Sequence, residues 1–334
     1  MKILCSAFSL ASLAAFLFAT LAAPAQEPTP TRIKLLTLLG RPLQLVAAEK
    51  LGLFSKSGLE VETENSANSQ ELRDKLTAGH GDFAYLAVDN AVAMVDLAHQ
   101  DIIIVMGGEG SQNELIAQPE IKSVKDLRSK TLIVDAPNTA YAVQLKKLLL
   151  LSGLQAGKDY EIKPVGATPQ RLIAMRENKS YSASMLGPPS SLIAKREGFV
   201  SLGSVQEAIG PYQAAGFFTE RAWAKDHRES LINFLAVIIE AQRWLLAPAN
   251  KNEVLALLTK EMHLAPEVAA ETYASMTKPG GFATDAALDI PGFQNVLKLR
   301  AEIEGSWGGH PPAPEAYYDA SYYNAALTKL KDAK

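Results

Sequence analysis

The chain has 334 residues, with 33 basic and 36 acidic side chains and a formal net charge of −3 at pH 7. No basic run exists that could neutralise a row of phosphates, so we expect no nucleic-acid partner. The one cysteine, Cys5, lies close to the N-terminus, so the remainder of the chain carries neither a disulfide nor thiol chemistry.

The first residues have the pattern of a secretory signal peptide. Lys2 precedes an apolar run from Ile3 to Ala23, and a small-residue cleavage site ends at Ala25. We predict a signal peptide over residues 1–25, with cleavage after Ala25 and export of the mature chain. An uncleaved membrane anchor is the alternative, because the run is nearly long enough to span a bilayer.

Strand and helix patterns then alternate with short connections, which is typical of an α/β protein. A first set opens with a strand at 33–38 and a helix from Pro42, whose ring suits a first helical turn. The continuous apolar run at 101–108 predicts a strand of a parallel sheet covered on both faces. The other elements predicted in this set are strands at 59–63 and 82–88 and helices at 70–79 and 90–99, with Ser66, Asn68 and Ser69 as candidate caps.

A second set repeats this pattern without repeating residue identity, which implies two α/β lobes of similar design. Its predicted strands are 131–136, 160–165, 182–186 and 199–203, and its predicted helices are one from Thr139, 168–178 and 190–198. The last third is mostly helical by its apolar spacing. The helices predicted there are 231–246, 252–261, 266–275, 291–304 and a final one from near Ser321.

Motifs of the common enzyme classes are missing from the sequence. It contains no glycine-rich dinucleotide-binding or phosphate-binding loop and no G-x-S-x-G nucleophile elbow. The 5 histidines are scattered without metal-ligand spacing. We therefore expect no catalysis, no metal site and no cofactor.

The candidate binding residues lie in loops that follow predicted strands and lead into helices. In open α/β sheets, ligands bind at the carboxyl ends of the strands. The helix that follows each loop directs free backbone N–H groups and the positive end of its dipole to the same edge. Such loops suit a small anion, although Ser, Thr and Asn at these positions also serve as ordinary helix caps. The loops are 40–42, 66–69, 87–90, 136–139 and 187–189.

Four segments, residues 47–62, 76–94, 123–154 and 182–199, carry a resemblance to a known family. In their residues and in their spacing along the chain, they resemble the periplasmic substrate-binding proteins of nitrate/sulfonate/taurine-type ABC importers. This superfamily includes relatives of thiamine-pyrimidine synthases. The resemblance implies a type II periplasmic binding protein, with two α/β lobes joined by two crossing segments and a helical C-terminal extension on lobe one.

The resemblance also implies the domain boundaries. Lobe one would comprise residues 27–112 plus 217–334 and lobe two residues 113–216, with the crossings near 110–119 and 211–219. The ligand would sit in the cleft between the lobes, which close on it and exclude water.

The function implied is that of a monomeric periplasmic solute receptor, with a permease in the inner membrane as its partner. Its ligand would be a small anion or zwitterion, such as a sulfonate, a taurine-like molecule or a small carboxylate. Two alternatives stay open. One is an enzyme or binding protein of the thiamine-pyrimidine branch, whose enzymes use a cysteine-rich motif that the mature chain lacks. The other is the binding component of a sensory system.

Carried over position by position, the family's cleft residues match nine residues of this sequence. They are Gly40, Arg41, Asn68, Ser69, Val88 and Asp89 in lobe one, and Asn138, Thr139 and Pro188 in lobe two. Arg41 could pair with a carboxylate or sulfonate, and Asp89 would favour an amine, so both in the cleft would suit a zwitterion. Pro137 departs from the small polar pairs common in the family and removes one N–H donor, which weakens the case for a tightly held sulfonate or nitrate.

Overall fold

The computed structural model describes residues 29–38 and 40–332. The predicted signal peptide, residues 1–25, lies outside the described residues. The described chain forms two five-stranded sheets. The first sheet contains β1 Thr31–Leu38, β2 Leu59–Ser66, β3 Phe83–Ala87, β4 Ile102–Met106 and β10 Ala215–Glu220. The second contains β5 Glu114–Ala117, β6 Thr131–Val134, β7 Glu161–Pro164, β8 Tyr181–Leu186 and β9 Val200–Ser204.

Helices follow most of the strands and make up the last third of the chain. In the first two thirds they are α1 Leu43–Lys50, α2 Leu53–Lys56, α3 Ser69–Thr77, α4 Asp89–Asp96, α5 Ala140–Leu151, α6 Thr168–Glu177, α7 Ser190–Arg196 and α8 Val205–Ala208. In the last third they are α9 Arg221–Asp226, α10 Arg228–Leu246, α11 Lys251–Lys260, α12 Pro266–Met276, α13 Ile290–Glu304 and α14 Ala320–Asp332.

The two sheets share one topology. The first has the strand order β2-β1-β3-β10-β4 and the second β7-β6-β8-β5-β9. In each sheet the first three strands of the order run parallel, and the fourth is an antiparallel strand that adjoins a crossing between the sheets. Since each half contributes the same βα arrangement, the prediction of two similarly built α/β units is confirmed.

One prediction about strand pairing was wrong. β4 is buried along its whole length, as its continuous apolar sequence indicated, but it pairs antiparallel with β10. The backbone of Ile104 also contacts the chain at Tyr317 and Tyr318, just before α14. An apolar run reports that both faces of a strand are covered, and it carries no information on the direction of the neighbouring strand.

Two strands were missed because they lie within the segments predicted as crossings. β5 begins at Glu114 and pairs with β8 and β9, and β10 begins at Ala215 and pairs with β3 and β4. The irregular chain between the sheets is therefore confined to residues 107–113 and 209–214. These two stretches run side by side, since Ser111 N donates to Tyr212 O at 3.0 Å.

The C-terminal third packs on the first sheet and also reaches the second half of the molecule on two sides. The helix α10 buries ten of its residues and forms the centre of a core cluster with α1 and α14. Beyond it, α12 meets α7 through the Arg196–Glu271 ion pair at 2.6 Å. On the other side, α13 meets α5 through Lys146–Glu304 at 2.8 Å and Lys147–Glu302 at 2.5 Å.

Within residues 29–38 and 40–332, no single helix is long and apolar enough to cross a membrane. The segments Arg228–Leu246 and Pro248–Lys260 reach that length and composition only when taken together, across a bend of 72°. The first of these segments is α10, whose apolar residues form part of the protein core.

Candidate functional site: a cavity between the two sheets

A cavity of about 560 Å³ lies between the two sheets and is lined by residues from both halves of the chain. Five helices begin at its wall, because the loops at the carboxyl ends of the strands lead directly into them. These helix starts contribute Leu43 and Gln44 of α1, Ser69 of α3, Ala140 and Tyr141 of α5, Thr168 and Pro169 of α6, and Ser190 of α7. The first backbone N–H groups of a helix have no intrahelical acceptor, so the wall is rich in potential donors.

The structure brings five of the nine predicted site residues together in this lining. They are Gly40, Arg41, Ser69, Thr139 and Pro188. Gly40 has φ = 108°, a conformation that favours glycine at this turn. The ligand contacts of all nine residues stay predictions.

The other four predicted residues lie outside the lining. The side chain of Asn68 caps α3, because its Oδ1 accepts a hydrogen bond from Glu71 N at 2.9 Å. Val88 is fully buried in the hydrophobic core. Asn138 has φ = 59°, and its carbonyl oxygen accepts a hydrogen bond from Arg300.

Asp89 is fully buried and paired with an arginine from the far end of the chain. Arg300 Nη1 lies 3.2 Å from Asp89 Oδ2 and also donates to Asn138 O at 3.2 Å. Burial raises the pKa of Asp89 to about 7, against the opposing effect of Arg300. Arg300 thereby joins the loop after β3 to the loop after β6, underneath the cavity.

Asp135 connects the two halves at the cavity wall. Its side chain is 2% exposed, and its carboxylate accepts hydrogen bonds from Ser69 Oγ at 2.5 Å and from Thr139 Oγ1 at 2.6 Å. A backbone hydrogen bond from Ala167 N to Ala67 O, at 3.1 Å, adds a second link between the halves. The sequence analysis did not select Asp135, although a carboxylate directly after a strand is a recognisable signal.

A buried arginine lies behind one wall of the cavity. Arg171 is fully buried and donates to Gly166 O at 2.7 Å, to Thr168 Oγ1 at 3.0 Å and to Met185 O at 3.0 Å. Its guanidinium also stacks on the Tyr141 ring at 4.2 Å. Among the described residues it has no acidic partner, and it does not itself line the cavity. The sequence analysis did not select Arg171.

Two charged side chains lie in the cavity lining itself, Arg41 and Glu109. Arg41 pairs with Glu49, and both side chains are partly exposed. Glu109 lies on the first crossing stretch, and burial raises its pKa to about 7. It was not selected from the sequence, because residues 107–110 showed no motif beyond their glycines.

One side of the cavity is apolar and comes from the C-terminal third. We call it the apolar wall, and it consists of Leu258, Met262, Leu264, Met276 and Phe282. Ile193 of α7 faces the same cavity from the second half. The site therefore combines donor-rich helix starts with a surface that suits carbon groups. Among the described residues, no three His, Cys, Asp or Glu side chains lie close enough together to hold a metal ion.

The paired sheets with their antiparallel crossing strands define the type II periplasmic-binding-protein fold, as the sequence resemblance implied. The chain belongs to the NMT1-like family, whose family model matches residues 26–259. A relative from Brucella abortus (strain 2308), named as a binding protein, is 23% identical over 294 residues, which cover 86% of this chain and 88% of the relative.

Solved structures of binding proteins share the fold. The nitrate-binding protein NrtA from Synechocystis PCC 6803 has a TM-score of 0.73 at 16% identity, covering 91% of this chain and 90% of its own. The alkanesulfonate-binding protein SsuA from Xanthomonas axonopodis pv. citri, bound to MOPS, has a TM-score of 0.71 at 16% identity, covering 89% and 100%. The desulfurization enzyme DSZB has a TM-score of 0.60 at 11% identity, covering 90% and 100%. The fold alone therefore does not decide between binding and catalysis.

Proposed function

We propose that this protein is the solute-binding component of an ABC import system and performs no catalysis. Its ligand would be a small organic zwitterion or anion, bound in the cavity between the sheets. The observation that carries the proposal is the convergence of five helix starts, from both halves of the chain, on one cavity. Backbone N–H groups at helix starts donate to a polar or anionic group without supplying a reactive side chain.

The size of the cavity supports an organic molecule as the ligand. A volume of about 560 Å³ lies within the range of roughly 300–1,000 Å³ that is usual for small-molecule sites. A nitrate ion would leave most of this volume empty. The apolar wall supports a ligand with a carbon skeleton beside its polar groups.

The charges around the cavity support an acidic group on the ligand. Arg171 places an uncompensated positive charge behind Tyr141 and Thr168, in the same wall as the start of α6. Arg41 could pair bidentately with a sulfonate or carboxylate if it left Glu49. The predicted contacts in the lining, Ser69 and Thr139 among them, would complete this polar end.

Closure is the second part of the proposal. Lobe one would comprise residues 27–112 plus 217–334 and lobe two residues 113–216, and the stretches 107–113 and 209–214 would flex between them. The closed form would be recognised by an inner-membrane permease, with the exported protein in the periplasm. A sensory role would use the same site. A permease gene and an ATPase gene beside this one would support import.

Ligand screening tests the proposal. The mature protein, residues 26–334, is heated with alkanesulfonates, amino sulfonates, small carboxylates, amines and pyrimidines. A ligand that binds only the folded state at a hundredfold excess over its Kd raises the free energy of unfolding by about 2.7 kcal/mol. We expect at least one acidic or zwitterionic organic compound to stabilise the protein. Turnover of the bound compound by the purified protein would contradict the proposal.

A further inference from the structure

We propose that Glu109 selects the ligand by binding a cationic nitrogen, so that the solute carries a protonated amine or an amidinium group. This inference rests on the proposed function, because it names a chemical group of the solute held in that same cavity. It stands on the position of Glu109, on its lack of a partner, and on the distribution of charge in the lining.

Three hydrogen bonds fix the backbone of Glu109. Its N–H donates to Ala215 O at 3.2 Å, and its carbonyl oxygen accepts from Ala214 N at 3.1 Å and from Gln213 Nε2 at 3.0 Å. These bonds tie the first crossing stretch to residues 213–215, where the second crossing stretch leads into β10. Glu109 lies in the cavity lining and is half-buried. Since its backbone polar groups are already bonded, the side chain is the part that can meet a ligand.

The Glu109 carboxylate has no hydrogen bond and no ion pair with any residue in the described parts of the chain. The other charged side chain of the lining, Arg41, forms an ion pair with Glu49. Burial raises the pKa of Glu109 to about 7, which reports the cost of holding its charge there without a partner. A cation on the ligand would supply that partner.

The other groups around the cavity indicate which group the ligand carries at the end opposite its cation. Helix starts and Arg171 suit an acidic group, and the apolar wall suits the carbon skeleton between the two charges. A ligand with an amine at Glu109 and an acid toward α5 and α6 satisfies both ends. A simple sulfonate or nitrate would leave the Glu109 carboxylate unpaired and would also be repelled by it.

Matched pairs of compounds test the inference by isothermal titration at pH 8. The pairs are taurine against ethanesulfonate, homotaurine against propanesulfonate, and benzamidine against benzamide. The proteins are the mature wild type, Glu109→Gln, and Glu120→Gln as a matched control on an exposed loop of the second half. Glutamine keeps the size of the side chain and removes its charge.

We expect the wild type to bind the nitrogen cation of at least one pair roughly ten- to a hundredfold more tightly than its partner, as for a charge-assisted hydrogen bond. Glu109→Gln should lose that preference and should bind the amine-free anion at least as tightly as the wild type does. Glu120→Gln should bind every compound as the wild type does. Equal binding within every pair, or a preference that survives in Glu109→Gln, would overturn the inference and leave the receptor role intact. Failure of all six compounds, together with the failure of the wider screen, would count against the receptor role itself.

Discussion

Two carboxyl groups near the cavity are held in surroundings that disfavour charge. Asp89 has the guanidinium of Arg300 as compensation, and Glu109 has no such partner among the described residues. Burial raises the pKa of each to about 7. Asp89 joins buried loops and serves the architecture, whereas Glu109 faces a cavity that can admit a ligand.

Because Glu109 is unpaired, we predict that it lowers the stability of the ligand-free protein in a pH-dependent way. Because its folded pKa of about 7 exceeds its ordinary value of 4.5, the folded state holds the proton longer than the unfolded state. The contribution of this group to the free energy of unfolding therefore falls as pH rises from 4.5 to about 7, and it levels off once the group is ionised in both states. Glutamine does not titrate in this range. We therefore expect the free energy of unfolding of Glu109→Gln, measured relative to that of the wild type, to be higher at pH 8 than at pH 5.

Urea unfolding of both proteins at the two pH values measures this difference. The other ionisable side chains in the lining are Arg41, Tyr85 and Tyr141, and all three are present in both proteins. Glu120→Gln serves again as the control and should show the same difference from the wild type at both pH values. A stability difference for Glu109→Gln that does not change with pH would contradict the assignment of an uncompensated carboxylate.

At the level of elements, two helices of the C-terminal third, α12 and α13, contact helices of the second half of the molecule. The helix α12 faces α7 beside the cavity, and α13 faces α5 on the opposite side. The Arg196–Glu271 pair has both side chains close to half exposed, so it contributes little to overall stability. It joins residues from different halves, so it would break when the halves separate.

Reversing the charge of one partner of this ion pair should therefore change the rate of ligand release more than the free energy of unfolding. We expect Arg196→Glu to raise the dissociation rate of a bound ligand by up to about fivefold, the factor that corresponds to the upper end of exposed pairs at about 1 kcal/mol. The double variant Arg196→Glu with Glu271→Arg should return toward the wild-type rate. Stopped-flow displacement measures these rates. Equal rates in all three proteins would show that α12 does not take part in closure.

Most elements could be predicted because the signals that define them are local. Pro42 before α1 and the cap Thr139 before α5 act within one turn, and the apolar spacing of α10 lies within one segment. The strands β5 and β10 were missed because they are short and lie next to irregular stretches. The antiparallel pairing of β4 was missed because its partner, β10, lies more than a hundred residues away along the chain.

At the scale of the whole molecule, the sequence located the edge of the cavity and one of its two charged side chains, Arg41, but not the other, Glu109. Gly40, Ser69 and Thr139 could be found because loops before helices are recognisable in one dimension. The roles of Asp135 and Arg300 depend on packing between distant segments. Arg300 and Asp89, for example, are 211 residues apart, and no local pattern relates them.

The central claim is that one cavity, walled by helix starts from both halves, binds the solute. The measurement that tests it most directly is a crystal structure of the mature protein with the compound that stabilises it most in the screen. We predict that the compound lies between the sheets, in contact with helix starts from both halves, with its nitrogen at the Glu109 carboxylate. A compound bound outside this cavity, or in contact with one half alone, would contradict the claim.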